Sequence, residues 1–284
     1  MAQVNDDYPK KSNPADEMAK AAAIAQYESQ KETKQEVHDF PTEIIELPSK
    51  GLLYPDGHPL SNGKLEMKYM TAKEEDILTN QSFIKQGVVL DKLFKSLIVT
   101  KVPYDDLFVG DKNAIMVAAR VLGYGKLYDA KVTTPSGNEQ DISIDLTDLK
   151  EKEIDWDVIK KGETEYDYEL PASKRKVKVQ LVNGHIQKKI DAENKGLQKL
   201  GKDASATTLL KHIITEVDGD RETGTIRKFV DNMLAIDARG VRNFLKELTP
   251  DMDLSVYVVD EATLEPFRTS FAIGLDFFWP DAEL

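Results

Sequence analysis

The spacing of apolar residues changes several times along this chain, and each change predicts a different element. From 71 to 125 the spacing is helical. TAKE (71–74) is a capping-box pattern, with Thr71 as the cap and Glu74 reaching back to the cap's own amide. Leu90, Leu93, Phe94 and Leu97 repeat at i, i+3, i+4 and i+7, as do Ile115, Ala118, Ala119 and Leu122. Gly123 or Gly125 ends the second of these helices. After 126 the period drops to two. Tyr128, Ala130 and Val132 alternate with polar residues, PSGN (135–138) makes a turn, and Ile142, Ile144 and Leu146 return as the second arm of a hairpin. Val177, Val179 and Leu181 alternate with Lys176, Lys178 and Gln180, which predicts a third strand and a small antiparallel sheet over 127–183 with one wet face.

Helical spacing returns over 185–248. Ser205 reads as the cap of a helix carrying Leu209, Leu210, Ile213 and Ile214; the next carries Ile226, Phe229, Val230 and Met233. Asp237 reads as the cap of a third, carrying Val241, Phe244, Leu245 and Leu248. The chain closes with LSVYVV (254–259), a turn at DEAT (260–263) and a strand that buries Phe267, Phe271, Ile273 and Leu275 on one face, since a one-residue slip would bury Arg268 and Asp276.

The first seventy residues read differently. In 41–70, Pro48, Gly51, Pro55, Gly57, Pro59 and Gly63 exclude long helices, and Leu65, Met67 and Tyr69 alternate as a short strand. Residues 1–40 are polar, with an Ala-rich stretch (19–31) that Asn13 and Pro14 open as a helix too poor in large apolar residues to stand alone. Two readings stand for this arm: a segment that folds on a partner, or a mobile tail. The fold class is α+β, a helical core packed on antiparallel strands with a β-hairpin lobe. The division is 1–40 (arm), 41–126 (turn-rich opening and helices), 127–183 (β lobe) and 184–284 (helices and a closing hairpin). No internal repeat of fixed period is present.

Composition narrows the chemistry. The absence of cysteine excludes disulfides, Cys-based zinc sites, iron–sulfur clusters and a thiol nucleophile. The opening MAQVNDDYPKK has no apolar core of a signal peptide, and no run of 18 apolar residues offers a membrane span, so the expectation is synthesis in the cytoplasm with no membrane partner. His38, His58, His185 and His212 lie outside metal-ligand spacing of one another. VDGDRETG (217–224) starts like a calcium loop but has Thr223 and Phe229 where the glycine and the bidentate acid belong, so it reads as an acidic turn between helices. GYG (123–125) follows a helix rather than a strand, and neither a Walker loop nor a nucleophile elbow is present. Glu74, Glu75 and Asp76 sit at a helix start, where acids favour the macrodipole. No catalytic, cofactor or metal residue is assigned.

One charge feature changes the picture. Residues 171–202 hold nine lysines and arginines against Asp191 and Glu193, a net of +7; with −12 for the whole chain, the remainder carries −19. Lys174, Arg175, Lys176, Lys178, Lys188 and Lys189 are the candidate contacts to an acidic partner or to copies of the same chain, and a solvated face is the plain alternative. No aromatics interleave with these lysines, which speaks against nucleic acid. Phe277, Phe278 and Trp279 form a dense aromatic end, suited to core packing or to an interface.

The series LPSKGLLYP (47–55), MTAKEEDIL (70–78), KQGVVLDKLFKSLI (85–98), GDKNAIMVAARVLGYGKLY (110–128) and GLDFFWPD (274–281) resembles the baseplate hub family of T-even-type contractile-tailed phages, over residues 43–281. The resemblance implies a non-enzymatic component of the central hub, needed for tail assembly, with hub and tape-measure proteins as partners. Its place would be the tail baseplate of the virion, after assembly in the host cytoplasm. A hub or tape-measure chaperone that leaves before maturation is the second reading; a cell-wall hydrolase, which needs paired carboxylates, is the third. The family brings no catalytic residues to carry over. One departure stands out: where many relatives have a Cys-Pro-x-Cys-like turn, this chain has Thr134, Pro135, Ser136 and Gly137. A metal-binding hairpin is not inherited, which leaves Pro and Gly geometry to hold the turn.

Overall fold

The computed structural model describes residues 40–278. The fold is α+β, with eight α-helices among those residues and four small antiparallel sheets. Its order begins with β1 (Thr42–Glu46) and β2 (Lys64–Lys68), then α1 (Ala72–Leu78), α2 (Gln81–Gln86), α3 (Val89–Leu97) and α4 (Val109–Tyr124). A hairpin follows, β3 (Leu127–Thr133) and β4 (Glu139–Asp145), then β5 (Glu165–Glu169), β6 (Lys176–Gln180), α5 (Gly184–Lys199), α6 (Ser205–Ile213) and β7 (Ile214–Val217). The end is α7 (Thr223–Asp231), α8 (Ala235–Leu248), β8 (Ser255–Val259) and β9 (Pro266–Ser270).

Two hydrophobic clusters organise these elements. The first gathers the 47–60 turns, β2, α3, α4, the β3–β4 hairpin and the aromatic end of the chain. Leu93, Leu97, Leu107 and Ile115 at its centre are fully buried. The second lies between the inner face of β6 and helices α5 to α8, with Val179, Ile213 and Val241 at its centre.

The turn-rich stretch becomes a compact knot because backbone touches backbone. Gly51 and Gly63 both have positive φ (76° and 73°), and a Cβ on Gly51 would stand 2.5 Å from the Gly63 nitrogen. At the start of α4, a Cβ on Gly110 would meet the Pro250 oxygen at 1.8 Å. Both approaches require the absence of a side chain.

A buried acid ties this knot to α4. Asp111 accepts from the Ser49 amide (3.0 Å) and the Tyr54 hydroxyl (2.7 Å), and that hydroxyl in turn accepts from the Phe108 amide (3.4 Å). Burial pushes the Asp111 carboxyl above its ordinary value, against the pull of these donors, and pushes the Tyr54 hydroxyl up as well. Glu74, also buried, behaves in the opposite way. Burial raises it, but bonds from Lys68 Nζ (2.7 Å), Thr71 Oγ1 (2.6 Å) and Ser96 Oγ (2.7 Å) outweigh that and hold it at about 2. The Thr71 amide also donates to Glu74 (3.1 Å), the reach-back half of the expected capping box.

Several expectations need correction. The strands of 127–183 separate into two sheets: β3–β4 packs on the first cluster, whereas β6 is the centre of a sheet ordered β5–β6–β7. Ile214 ends no helix; it opens β7, because Val179 on β6 pairs with it. The acidic turn at 217–224 therefore joins a strand to a helix. Asp237 does not cap its own helix: its carboxylate accepts from the amides of Ala172 (2.8 Å) and Ser173 (3.2 Å) in the β5–β6 turn. Ser205 is the first residue of α6, and its amide donates to Asp203 (3.3 Å). The last strand stops at Ser270, so Phe267, Phe271, Ile273 and Leu275 are half-buried rather than fully inside. The turn at 134–137 is held by more than Pro and Gly. The Thr134 and Ser136 hydroxyls bond each other (2.8 Å), and the Ser136 amide donates to Asp260 (3.2 Å), a buried carboxylate from the β8–β9 turn. The expectations for residues 1–39 and Trp279 lie outside the described residues.

Candidate partner-binding face

The basic segment begins on β6, so its surroundings follow from the sheet register. Val177 and Val179 point into the second cluster, which sends Lys176 and Lys178 to the opposite face as alternation requires. On that face Lys176 stands opposite Glu169, and Lys178 stands between Asp167 and Glu216. Lys178 Nζ bonds Asp167 (2.8 Å), and Arg221 joins Glu165 (3.1 Å) to Glu216 (2.9 Å). Beside the strand, Arg175 Nε pairs with Asp218 (2.6 Å) while its guanidinium lies 4.5 Å from the Phe229 ring. The Arg175 bond holds the Asp218 carboxyl below its usual range, and the Asp167 bond holds the Lys178 amine up.

The surplus of +7 is therefore a property of a stretch of sequence and not of this surface. Lys176, Lys178 and Arg221 meet Glu165, Asp167, Glu169 and Glu216 on the β5–β6–β7 outer face, and Arg175 is paired with Asp218 beside the strand, so the surface is close to charge balance. Exposed pairs of this kind add little stability each, so together they fix register more than stability.

The second half of the segment lies on α5. Its Asn183 cap accepts from the Ile186 amide (3.1 Å). Glu193 pins the helix to its neighbours by a two-pronged pair with Arg227 (2.9 and 2.7 Å) and a bond to His212 (2.9 Å). The Arg227 bond, foremost, pulls the Glu193 carboxyl down to about 2. Lys188 is paired with Asp105. Lys174, Lys176 and Lys189 are exposed and make no ion pair among the described residues. Lys174 sits in the left-handed region (φ 57°), in the turn whose amides Asp237 holds.

The structure thus divides the six basic candidates between a sheet face close to charge balance, the turn beside it and one helix. The aromatic candidates go elsewhere. Phe277 and Phe278 are each 1% exposed, with the Phe277 ring 4.8 Å from Tyr128, and Arg120 Nε donates to the Phe277 carbonyl (3.2 Å). Both rings are spent on this chain's own core and are not presented to a partner.

His58 and His185, which lie outside ligand spacing in the sequence, are brought by the structure to one carboxylate. His58 Nε2 lies 3.5 Å and His185 Nε2 2.9 Å from Asp106. These residues come from three remote segments, and no local spacing signals their meeting. Among the described residues no group of three or more His, Cys, Asp or Glu is placed to hold a metal ion. None of the described helices is long and apolar enough to cross a membrane. No family model, curated protein or solved structure matches the chain.

Proposed function

We propose that the chain is a non-enzymatic structural component of the central hub of a contractile phage tail baseplate. The observation that carries this reading is where the recognisable motifs meet. Ser49 of LPSKG, Tyr54 of LLYP and Asp111 of GDKNAI converge in one buried hydrogen-bonded group, while Glu74 of TAKEED bonds Ser96 of LFKSL. A resemblance built from residues that hold the interior together speaks for a shared fold rather than for scattered chance matches. Phe277 and Phe278 of GLDFFWPD close the same hydrophobic cluster.

On this reading the chain works through its surfaces, with other hub proteins and the tape-measure protein as partners and the virion tail as its place. The test is a nonsense mutation in the gene, carried in the phage that encodes it. Lysates should then lack assembled tails in electron micrographs while heads accumulate, and supplying the chain in trans should restore tails. Normal tails in the mutant lysate would overturn the proposal.

A further inference from the structure

The β8 strand carries a hydrogen-bonding edge with a gap in it. Asp260 N donates to Glu265 O (3.0 Å) and Phe271 N to Leu254 O (3.2 Å), so the even-numbered residues of β8 are the ones bonded to β9. In an antiparallel pair the intervening residues turn N–H and C=O to the other side. That outward edge is satisfied at both ends. Asp251 O accepts from Lys152 N (2.8 Å), Asp253 N donates to Lys150 O (2.8 Å), and Ser255 N donates to Asp253 Oδ1 (3.1 Å). At the far end the Gln140 carboxamide imitates a peptide group: Nε2 donates to Val259 O (3.0 Å) and Oε1 accepts from Glu261 N (3.2 Å). Between these ends, Ser255 C=O and both backbone groups of Tyr257 have no partner among the described residues.

The facing wall is a second open edge. Leu146 N bonds Lys126 O and Thr134 N bonds Asn138 O (2.8 Å each), which makes the even-numbered residues of β4 the ones bonded to β3. Ser143 and Asp145 therefore turn their peptide groups away from β3. Ile142–Asp145 and Ser255–Val258 line one groove of about 1040 Å³. Its floor is apolar, since Ile144 and Val256 belong to or pack on the first cluster. At its rim Tyr257 is 79% exposed. Folded proteins usually blunt an open edge with charge or proline. The outer strand β9 has both, in Pro266 and Arg268, but the β8 edge has neither.

We infer that this groove takes an extended segment of another protein as a strand, bonded to Tyr257 on one side and Ser143 on the other, which joins the two hairpins into a five-stranded sheet. A peptide backbone offers N–H and C=O on both of its edges and so answers both walls at once. Side chains alternate along such a strand, so the guest sets an apolar residue on Ile144 and Val256 and polar residues beside Ser143. Every described strand of this chain is already paired within its own sheet, so the described residues of a second copy hold no unpaired strand to lend. The inference does not rest on the baseplate reading.

The probe is an equimolar pool of fluorescein-labelled heptapeptides, with valine or isoleucine at alternate positions and threonine or lysine between, titrated into the full-length chain. A matched pool is N-methylated at alternate residues. The parent pool should raise fluorescence polarisation and slow amide exchange at Tyr257 and Ser143 by roughly tenfold or more, as new backbone bonds do. The methylated pool should do neither. The Tyr257→Pro variant removes an outward N–H without removing a β9 bond, so it should keep its thermal midpoint and bind the parent pool at least roughly tenfold more weakly. Equal binding of both pools, no binding of either, or protection at residues outside the groove would overturn the proposal. So would protection of Tyr257 that depends on protein concentration without peptide, since the occupant would then be a second copy.

Discussion

The two hydrophobic clusters solve the same problem with opposite means. Around α4 the chain buries its charges: Asp111, Glu74 and Arg120 are all nearly or fully enclosed and satisfied by partners distant in sequence. Around β6 most charges stay outside, in cross-strand pairs over an interior of valine, leucine and isoleucine, and the buried exception, Asp237, is spent on the amides of the β5–β6 turn. The difference teaches where a local excess of one charge can mislead. A run of lysines on a strand becomes a docking patch only if its neighbours leave it unopposed, and here Asp167, Glu169 and Glu216 oppose it.

The contrast breaks most visibly by cutting the buried side. Phe277→Ala should cost about 3–5 kcal/mol, the range for emptying a filled aromatic site. Phe271→Ala, at a half-buried position, should cost clearly less. Urea unfolding midpoints compare the two directly, and equal losses would contradict the assignment of Phe277 to the core. Asp111→Ala leaves the Tyr54 hydroxyl and the Ser49 amide buried without an acceptor, at about 1–3 kcal/mol each. A variant as stable as the parent would show that the knot at 47–63 does not depend on Asp111.

Acid sharpens the comparison within the first cluster. Glu74 is held at about 2 against its ordinary 4.5, so its contribution is fully present above pH 4.5 and is lost as pH falls towards 2. The size is about 3 kcal/mol for a shift of that order. Asp111 has the opposite sign. Its raised carboxyl favours the fold at low pH, and that advantage fades as pH rises through its folded value. Glu74→Gln should therefore flatten the acid limb of stability, and Asp111→Asn should leave that limb in place. Unfolding curves at several pH values between 2 and 7 decide it; an unchanged acid limb in Glu74→Gln would contradict the bonding drawn here.

The smallest effects belong to the outer face of β6. Lys178→Ala should change stability less than any of the variants above, and salt should change it little further. Reversing Lys174, Arg175, Lys176 and Lys178 to Glu is different, because it faces new acids with Glu169, Asp167 and Glu216 across the strands. That variant should lose stability, most at low salt. A fully stable reversed protein would mean that the strand's charges are not coupled.

Local pattern made much of the fold legible. Helices α3 and α4, a stop at one of two glycines (Gly125 in the structure), the β3–β4 hairpin, β6 and the β8–β9 hairpin all follow from period and turn chemistry. Four residues of β7 directly after α6 gave no alternation long enough to separate strand from helix, so Ile214 read as helical. The roles of Asp237 and Asp260 were hidden because each carboxylate serves a turn remote in sequence, 65 and 124 residues away. The basic segment was legible as composition, but its cancellation depends on β5 and β7, which register alone reveals. Phe277 and Phe278 fell on the core side of an alternative that the sequence left open.

The central claim is that this chain stays in the finished tail as part of the hub. Quantitative mass spectrometry of purified, intact tails tests it most directly. The account predicts peptides of this chain at a fixed ratio to the other baseplate proteins. Their absence from tails that assemble and infect normally, with the chain recovered only from the lysate, would contradict retention and point to an assembly chaperone instead.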